Sequence, residues 1–214
     1  MRYLALVLLP ITALGCGVNG RSAPPSSPDE DSAGPGSGQA AQGKRVVMII
    51  ARREWRDEEL LEPRRILEAA GAEVVLASSS LQPAKGMLGA TVAPDVLIAE
   101  VDPAQYDAVI FVGGAGAKEY WGNPRAHEIA RATLERGKVL GAICIASVTL
   151  ANAGVLEGRK ATVWASEAPR LKARGAEYTG RSVEVDGRIV TADGPESAEE
   201  FGRAMLAALH TPEG

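Results

Sequence analysis

From residue 45 onward the chain alternates between continuous apolar runs and amphipathic stretches. "RVVMIIA" (45–51) is an unbroken apolar, β-branched run, the pattern of a strand covered on both faces. "DEELLEPRRILEAAG" (57–71) sets Leu60, Leu61, Ile66, Leu67 and Ala70 at helical spacing and stops on Gly71, as helices commonly do. Pro63 falls inside it and is expected to bend the helix or to mark its true start. "AEVVLAS" (72–78) is the next strand. The first unit is therefore βαβ, and a parallel sheet is implied.

Residues 81–101 are less regular and suggest short extended pieces, a hairpin outside the main sheet. "YDAVIFVGG" (106–114) is a second buried strand that ends on a glycine pair. "NPRAHEIARATLERG" begins with Asn123 as N-cap and Pro124 at the first helical position. "KVLGAIC" predicts a third buried strand and "IASVTLANAG" the helix after it. "RKATVW" and "SVEVDGRIVTAD" predict later strands, the second a hairpin turning at Asp186-Gly187. "SAEEFGRAMLAALH" predicts a closing helix with Ser197 and Glu200 as a capping box.

Strand–helix alternation of this kind predicts an α/β domain, a mostly parallel sheet with helices on both faces. Such sheets place their sites at the C-terminal ends of strands. Three ends stand out: "ARREWRDEE", "GGAGAKEYW" and "GAICIA". A dinucleotide site needs a glycine-rich turn after the first strand, and Arg52-Arg53-Glu54-Trp55 supplies none. "GGAGAKE" lacks both a third glycine and a Lys-Ser/Thr ending, so phosphate binding is disfavoured.

The N-terminus changes the picture of where the domain sits. "MRYLALVLLPITALGC" has an early arginine and an apolar run with the length of a signal-peptide core, short for a membrane span. Its end, "TALGC", resembles a bacterial lipobox, with cleavage before Cys16 and lipidation of that thiol. An ordinary secretory signal with an incidental cysteine is the competing reading. Residues 17–44 are dominated by glycine, proline and serine without apolar periodicity, the composition of a flexible tether. The organisation expected is a signal peptide over 1–15, a lipidated Cys16 and linker over 16–43, a domain over 44–210 and a tail over 211–214. The expected location is the bacterial cell envelope, lipid-anchored, on the periplasmic side of the outer membrane.

Composition narrows the partners. The 214 residues carry a formal charge of -4, with 4% aromatics. An acidic chain with few stacking rings argues against nucleic acid. Cys144 is the one cysteine of the domain, so no disulfide forms within it. There is no Cys/His cluster, and neither a metal site nor a cofactor is expected.

Cys144 sits where a strand turns into a helix, with Ala142 two residues before it and Ala146 two after. A nucleophile elbow needs small residues at those positions because the turn is sharp and strained. At such an elbow the thiol lies at a helix N-terminus, which favours thiolate. The amide of Ile145 would point into the site as an oxyanion donor. The alternative is a buried structural cysteine packing as a small hydrophobe.

"RVVMIIA", "DEELLEP", "YDAVIFVGG", "GKVLGAICIA", "LANAGVLEGRKAT" and "VEVDGRIVTADGP" together resemble the PfpI superfamily. That group includes intracellular protease I and the Parkinsonism-associated protein deglycase, on a class I glutamine amidotransferase-like fold. The resemblance covers essentially all of 44–210. It implies a flavodoxin-like three-layer sandwich, a homodimer, and a glutamate from the loop and helix after the first strand, close to the thiol. Counted back from Pro63 that position is Glu59, with Glu58 the fallback. Gly114 matches the loop whose amide faces the thiol. Glu119 either lines the same cleft or is a solvated loop carboxylate.

Two departures matter. Peptidase-like members carry histidine directly after the cysteine, where this chain has Ile145, and deglycase-like members carry one after "GRKAT", where it has Trp164. A Cys-His dyad is therefore not expected, which counts against peptidase chemistry. The resemblance leaves a Cys144- and Glu59-dependent reaction on small reactive carbonyls or their protein adducts. A non-enzymatic redox or protective role through oxidation of Cys144 is the alternative, and a cysteine peptidase or amidohydrolase is the less favoured third reading.

Overall fold

The computed structural model describes residues 40–211. The predicted signal peptide, Cys16 and nearly all of the linker lie outside the described residues. Packing begins slightly earlier than residue 44: Ala41 is buried and donates its amide to the Ala70 carbonyl at 2.7 Å.

In chain order the strands are β1 (Arg45–Ile49), β2 (Arg53–Trp55), β3 (Glu73–Ser78), β4 (Ala84–Gly86), β5 (Thr91–Val92), β6 (Val96–Leu97), β7 (Ala108–Phe111), β8 (Val139–Ile143), β9 (Lys160–Ala161), β10 (Glu177–Tyr178), β11 (Val183–Asp186) and β12 (Ile189–Ala192). The helices are α1 (Asp57–Ala69), α2 (Pro124–Glu135), α3 (Ser147–Asn152), α4 (Ala168–Ala173) and α5 (Ala198–His210). The main sheet has the order β11-β12-β8-β7-β1-β3-β6. Every neighbouring pair in it is parallel except the β11–β12 hairpin.

The apolar runs become the central strands for the expected reason. β7 and β8 are buried along their whole length, and β1 at all but Arg45. Helices cover both faces: α1 packs on α5 on one side, and α2 on α3 on the other. This is the flavodoxin-like three-layer α/β sandwich. Pro63 sits inside a continuous α1. Having no N–H, it leaves the Glu59 carbonyl without its i+4 partner. It also meets α5 at Gly202, where an added Cβ would lie 2.9 Å from the Pro63 Cα. After α1 the amides of Gly71 and Ala72 return to the Glu68 and Leu67 carbonyls, each at 3.0 Å, which is a Schellman ending.

Several local expectations need correction. Of residues 81–101, β4 and β5 form the antiparallel pair outside the main sheet, joined there by β2, but β6 is the main sheet's edge strand. "RKATVW" yields only the two-residue β9, which pairs with β10 away from the main sheet. Asp186 pairs with Ile189, so the hairpin turns on Gly187-Arg188 rather than Asp186-Gly187. Asp186 instead binds the Lys160 amide and Arg159. The capping box at α5 does not form: Ser197 donates to Asp193 at 2.6 Å, and Glu200 accepts from Ser182 at 2.9 Å. Ser197 turns back to a residue four positions earlier, and Glu200 is taken by a residue outside the helix.

One acidic residue of the "DEE" run has a structural task. Asp57 is buried, and its carboxylate accepts the amides of Leu88 at 2.8 Å and Ala90 at 2.9 Å. It thereby fastens the β4–β5 turn to the start of α1. Asp57→Ala leaves both amides without their partner, and a thermal melt is expected to show a loss of about 2–3 kcal/mol. Unchanged stability would mean that water replaces the carboxylate at no cost.

Candidate active site

The three strand ends singled out in the sequence meet at one place. Cys144 follows β8, Gly113 and Gly114 follow β7, and Glu59 comes from the first turn of α1, reached through β1 and β2. Cys144 has φ 59°, in the left-handed region that disfavours residues with a Cβ. A short 3-10 turn, Cys144–Ala146, leads from the strand into α3. Ala142 and Ala146 are both buried beside it. This is the strained strand-to-helix elbow that the small flanking residues permit.

The loop after β7 is shaped by close contact. A Cβ on Gly113 would strike the Glu59 carboxyl and come within 2.7 Å of the Cys144 Cβ. Gly114 has φ 97°, and a Cβ there would press on the backbone of Glu54, Trp55 and Arg56. The Arg56 amide donates to the Gly113 carbonyl at 3.0 Å, tying the two loops together. Gly114 and Ile145 both present backbone amides to the Cys144 sulfur.

Glu59 is 0% exposed, and neither of its carboxyl oxygens makes a hydrogen bond of good geometry. Burial disfavours its charged form and lifts its pKa to about 8. The nearby Cys144 thiol, Arg56 and the Gly113 amide temper that rise without cancelling it. Near neutral pH Glu59 is therefore a protonated acid beside the sulfur.

The thiol itself corrects an expectation. Cys144 is 8% exposed rather than displayed, and burial, followed by the charge of Glu59, pushes its pKa up to about 12. The amides of Ile145 and Gly114 act in the opposite direction but do not outweigh desolvation. While Glu59 keeps its proton the repulsion from it is absent, so the two groups titrate as a pair.

The sulfur opens on a cleft of about 290 Å³. Its walls include Arg56, Met87, Lys118, Ile145, Trp164 and Pro195. Trp164 is 48% exposed and lies against the Gly194 backbone. Two of the other candidates sit elsewhere. Glu58 is turned onto Arg56 in a two-point pair at 2.8 and 3.1 Å, so the register points inward at Glu59. Glu119 accepts from Ser79 at 2.9 Å and is not among the cleft's lining residues. Sequence reasoning did not single out Arg56, Met87 or Lys118. Arg56 and Lys118 lie in the strand-end segments already marked, whereas Met87 reaches the cleft only through the turn that Asp57 fastens.

No histidine lines the cleft. Nε2 of His127 is engaged by the Trp121 carbonyl at 2.9 Å, and His210 ends α5. Among the described residues no group of three or more His, Cys, Asp or Glu is arranged to hold a metal ion. No described helix is long and apolar enough to cross a membrane.

A family model described as the DJ-1/PfpI family matches residues 44–208. The chain belongs to the DJ-1/PfpI family. It is 42% identical over 168 residues to an uncharacterized protein of Methanocaldococcus jannaschii, covering 77% of this chain and 82% of that one. It is 34% identical over 163 residues to deglycase PfpI of Pyrococcus furiosus, covering 76% of this chain and 98% of that one. Among solved structures, a ThiJ/PfpI domain protein from Brachyspira murdochii superposes with a TM-score of 0.76 at 32% identity, covering 78% of this chain and 98% of that one.

The raised pKa of Glu59 has a consequence for stability. Unfolded, the carboxyl ionises near 4.5; folded, near 8. Between those values the unfolded chain gives up a proton that the folded protein keeps. The contribution of Glu59 is thus complete below pH 4.5 and is lost as pH rises through 8, with a magnitude on the order of a few kcal/mol. Glu59→Gln should flatten the fall in melting temperature between pH 5 and 8. Identical pH profiles for the two proteins would show that Glu59 ionises normally in the fold.

Proposed function

We propose that this protein is a cysteine-dependent enzyme acting on small reactive carbonyls, or on their adducts with protein, in the manner of a glyoxalase or deglycase. The observation that carries the reading is the pairing of the Cys144 sulfur with a protonated, fully buried Glu59, beneath the amides of Gly114 and Ile145. The deglycase name of the Pyrococcus relative supports it.

In the first step the sulfur adds to the aldehyde carbon. The C–S bond forms as the carbonyl π electrons move to oxygen. Glu59 gives its proton to that oxygen and takes the proton of the thiol, leaving a neutral hemithioacetal. The two amides hold the oxygen as charge develops on it. With methylglyoxal, a hydrogen shift from C1 to C2 gives a thioester, and water releases lactate and the free thiol. With a hemiaminal adduct on an amine, the C–N bond breaks as the hydroxyl proton passes to nitrogen, the amine leaves, and the sulfur adds to the aldehyde so regenerated as above. Arg56 and Lys118 are the cations at the rim, while Met87, Trp164 and Pro195 supply an apolar wall.

Peptide hydrolysis fits less well, because it needs a base for the thiol and an acid for the leaving amine. Oxidation of Cys144 to a sulfinate by two equivalents of peroxide, each leaving one oxygen on sulfur and departing as water, is the second reading, favoured by a Glu59 able to donate a hydrogen bond to it. The burial of the thiol counts against rapid spontaneous oxidation. The lipid anchor at Cys16, the envelope location and a homodimer belong to this proposal and rest on the sequence and the family resemblance.

Purified protein should convert methylglyoxal to lactate, and Cys144→Ala should abolish the conversion. Glu59→Gln is expected to lower kcat by about 10²-fold or more, the usual worth of a positioned proton donor. Conversion that survives Cys144→Ala, or none by the wild type, overturns the assignment.

A further inference from the structure

The two amides that face the Cys144 sulfur belong to different chain segments. The Gly114 amide begins the segment 114–121, which runs through a 3-10 turn to Trp121. The Ile145 amide belongs to the elbow, 144–146. The sheet aligns these segments only as far as Phe111 opposite Ala142. Beyond that pair, the indole Nε1 of Trp121 donates to the Ile145 carbonyl at 2.9 Å. The bond runs from the far end of the first segment to the middle of the second.

Trp121 is itself held from several directions. Its carbonyl is engaged by His127 Nε2 and accepts from Asn152 Nδ2, each at 2.9 Å. Asn152 Oδ1 in turn accepts from Arg174 at 3.0 Å. The guanidinium of Arg170 lies 4.9 Å from the centre of the indole and the Lys118 ammonium 5.7 Å. These cations also favour the electron-rich ring face. Arg170 is paired with Glu167, and both Lys118 and Glu167 line the cleft.

We propose that Trp121 is a positioning residue: its indole N–H fixes the elbow against the Gly114 segment so that both amides converge on the sulfur. A carbonyl has a second lone pair free for this bond beyond any intrahelical one. Without it, the strained left-handed turn at Cys144 relaxes against fewer restraints, and the two donors lose their common aim. Hydrogen bonds weaken steeply as their alignment is lost. The inference rests on reading Cys144 as the reactive thiol, but its main test does not need the carbonyl reaction.

The test is alkylation of Cys144 by iodoacetamide, in which the sulfur displaces iodide and a C–S bond replaces the C–I bond. The rate is followed from pH 6 to 11 in the wild type and in Trp121→Phe. The charged and titratable groups around the sulfur are the same in both: Glu59 and Glu58 of α1, Arg56 just before it, Lys118, and Glu167 with Arg170. Trp121→Phe should shift the profile to higher pH and slow alkylation about three- to tenfold at neutral pH, the worth of one misaligned hydrogen bond. Melting should fall by only about 2–4 °C. If Trp121→Phe does not fold, benzothienylalanine at position 121 removes the N–H while keeping the shape, and the same shift is expected. A profile superimposable on the wild type in the folded variant overturns the proposal, whether or not the protein converts methylglyoxal. Where that conversion is measurable, kcat should fall with KM little changed.

Discussion

A carboxyl group buried with no well-formed hydrogen bond and pressed against a thiol is the constraint around which this domain is arranged. Glu59 can lie there only because the residue opposite is glycine: any side chain at Gly113 would collide with the carboxyl and with Cys144 together. Helix α1 must deliver Glu59 inward while Glu58, one residue earlier, turns out onto Arg56. Asp57, one residue earlier still, anchors the turn that brings Met87 to the cleft. Three successive acidic residues thus perform three different tasks, decided by the direction in which each leaves the helix.

Burial also decides the electrostatics. A helix N-terminus and two backbone amides favour a thiolate, but they act on a sulfur from which water is largely excluded and which faces a carboxyl group. Desolvation wins, and both groups hold their protons more tightly than they would in water. The proposed chemistry follows from that outcome, because the proton given to the carbonyl oxygen is one the site retains at neutral pH. The missing histidine is then less of a gap. Addition to a carbonyl needs one proton relayed over a short distance, which a neutral carboxyl can do.

Most of the scaffold was legible because it rests on local patterns. Continuous apolar runs gave the central strands, and the Asn123-Pro124 and Gly71 signals gave helix boundaries, since these depend on neighbours close in the chain. The failures lie where side chains found other partners. Ser197 and Glu200 were expected to cap a helix and Asp186 to sit in a turn, but Ser197 binds Asp193, Glu200 binds Ser182 and Asp186 binds the Lys160 amide. "RKATVW" has the composition of a strand, but only two of its residues find a neighbouring strand to pair with. Glu119 directly follows Lys118, which lines the cleft, but its own side chain is directed at Ser79 instead.

By itself, the sequence determined a parallel α/β sandwich and an elbow at Cys144, because apolar periodicity and small flanking residues constrain the backbone wherever the rest of the chain goes. Its likeness to a family narrowed the carboxylate to Glu59 or Glu58. Only the tertiary structure decided between the two, and only it revealed that the thiol is buried rather than displayed. It alone brought Met87 to the cleft, a residue with no motif to mark it, and it alone gave Arg56 and Trp121 their contacts within strand ends the sequence had already marked. Burial and convergence are properties of segments distant in the chain, and they arise when the sheet closes rather than from any stretch read alone.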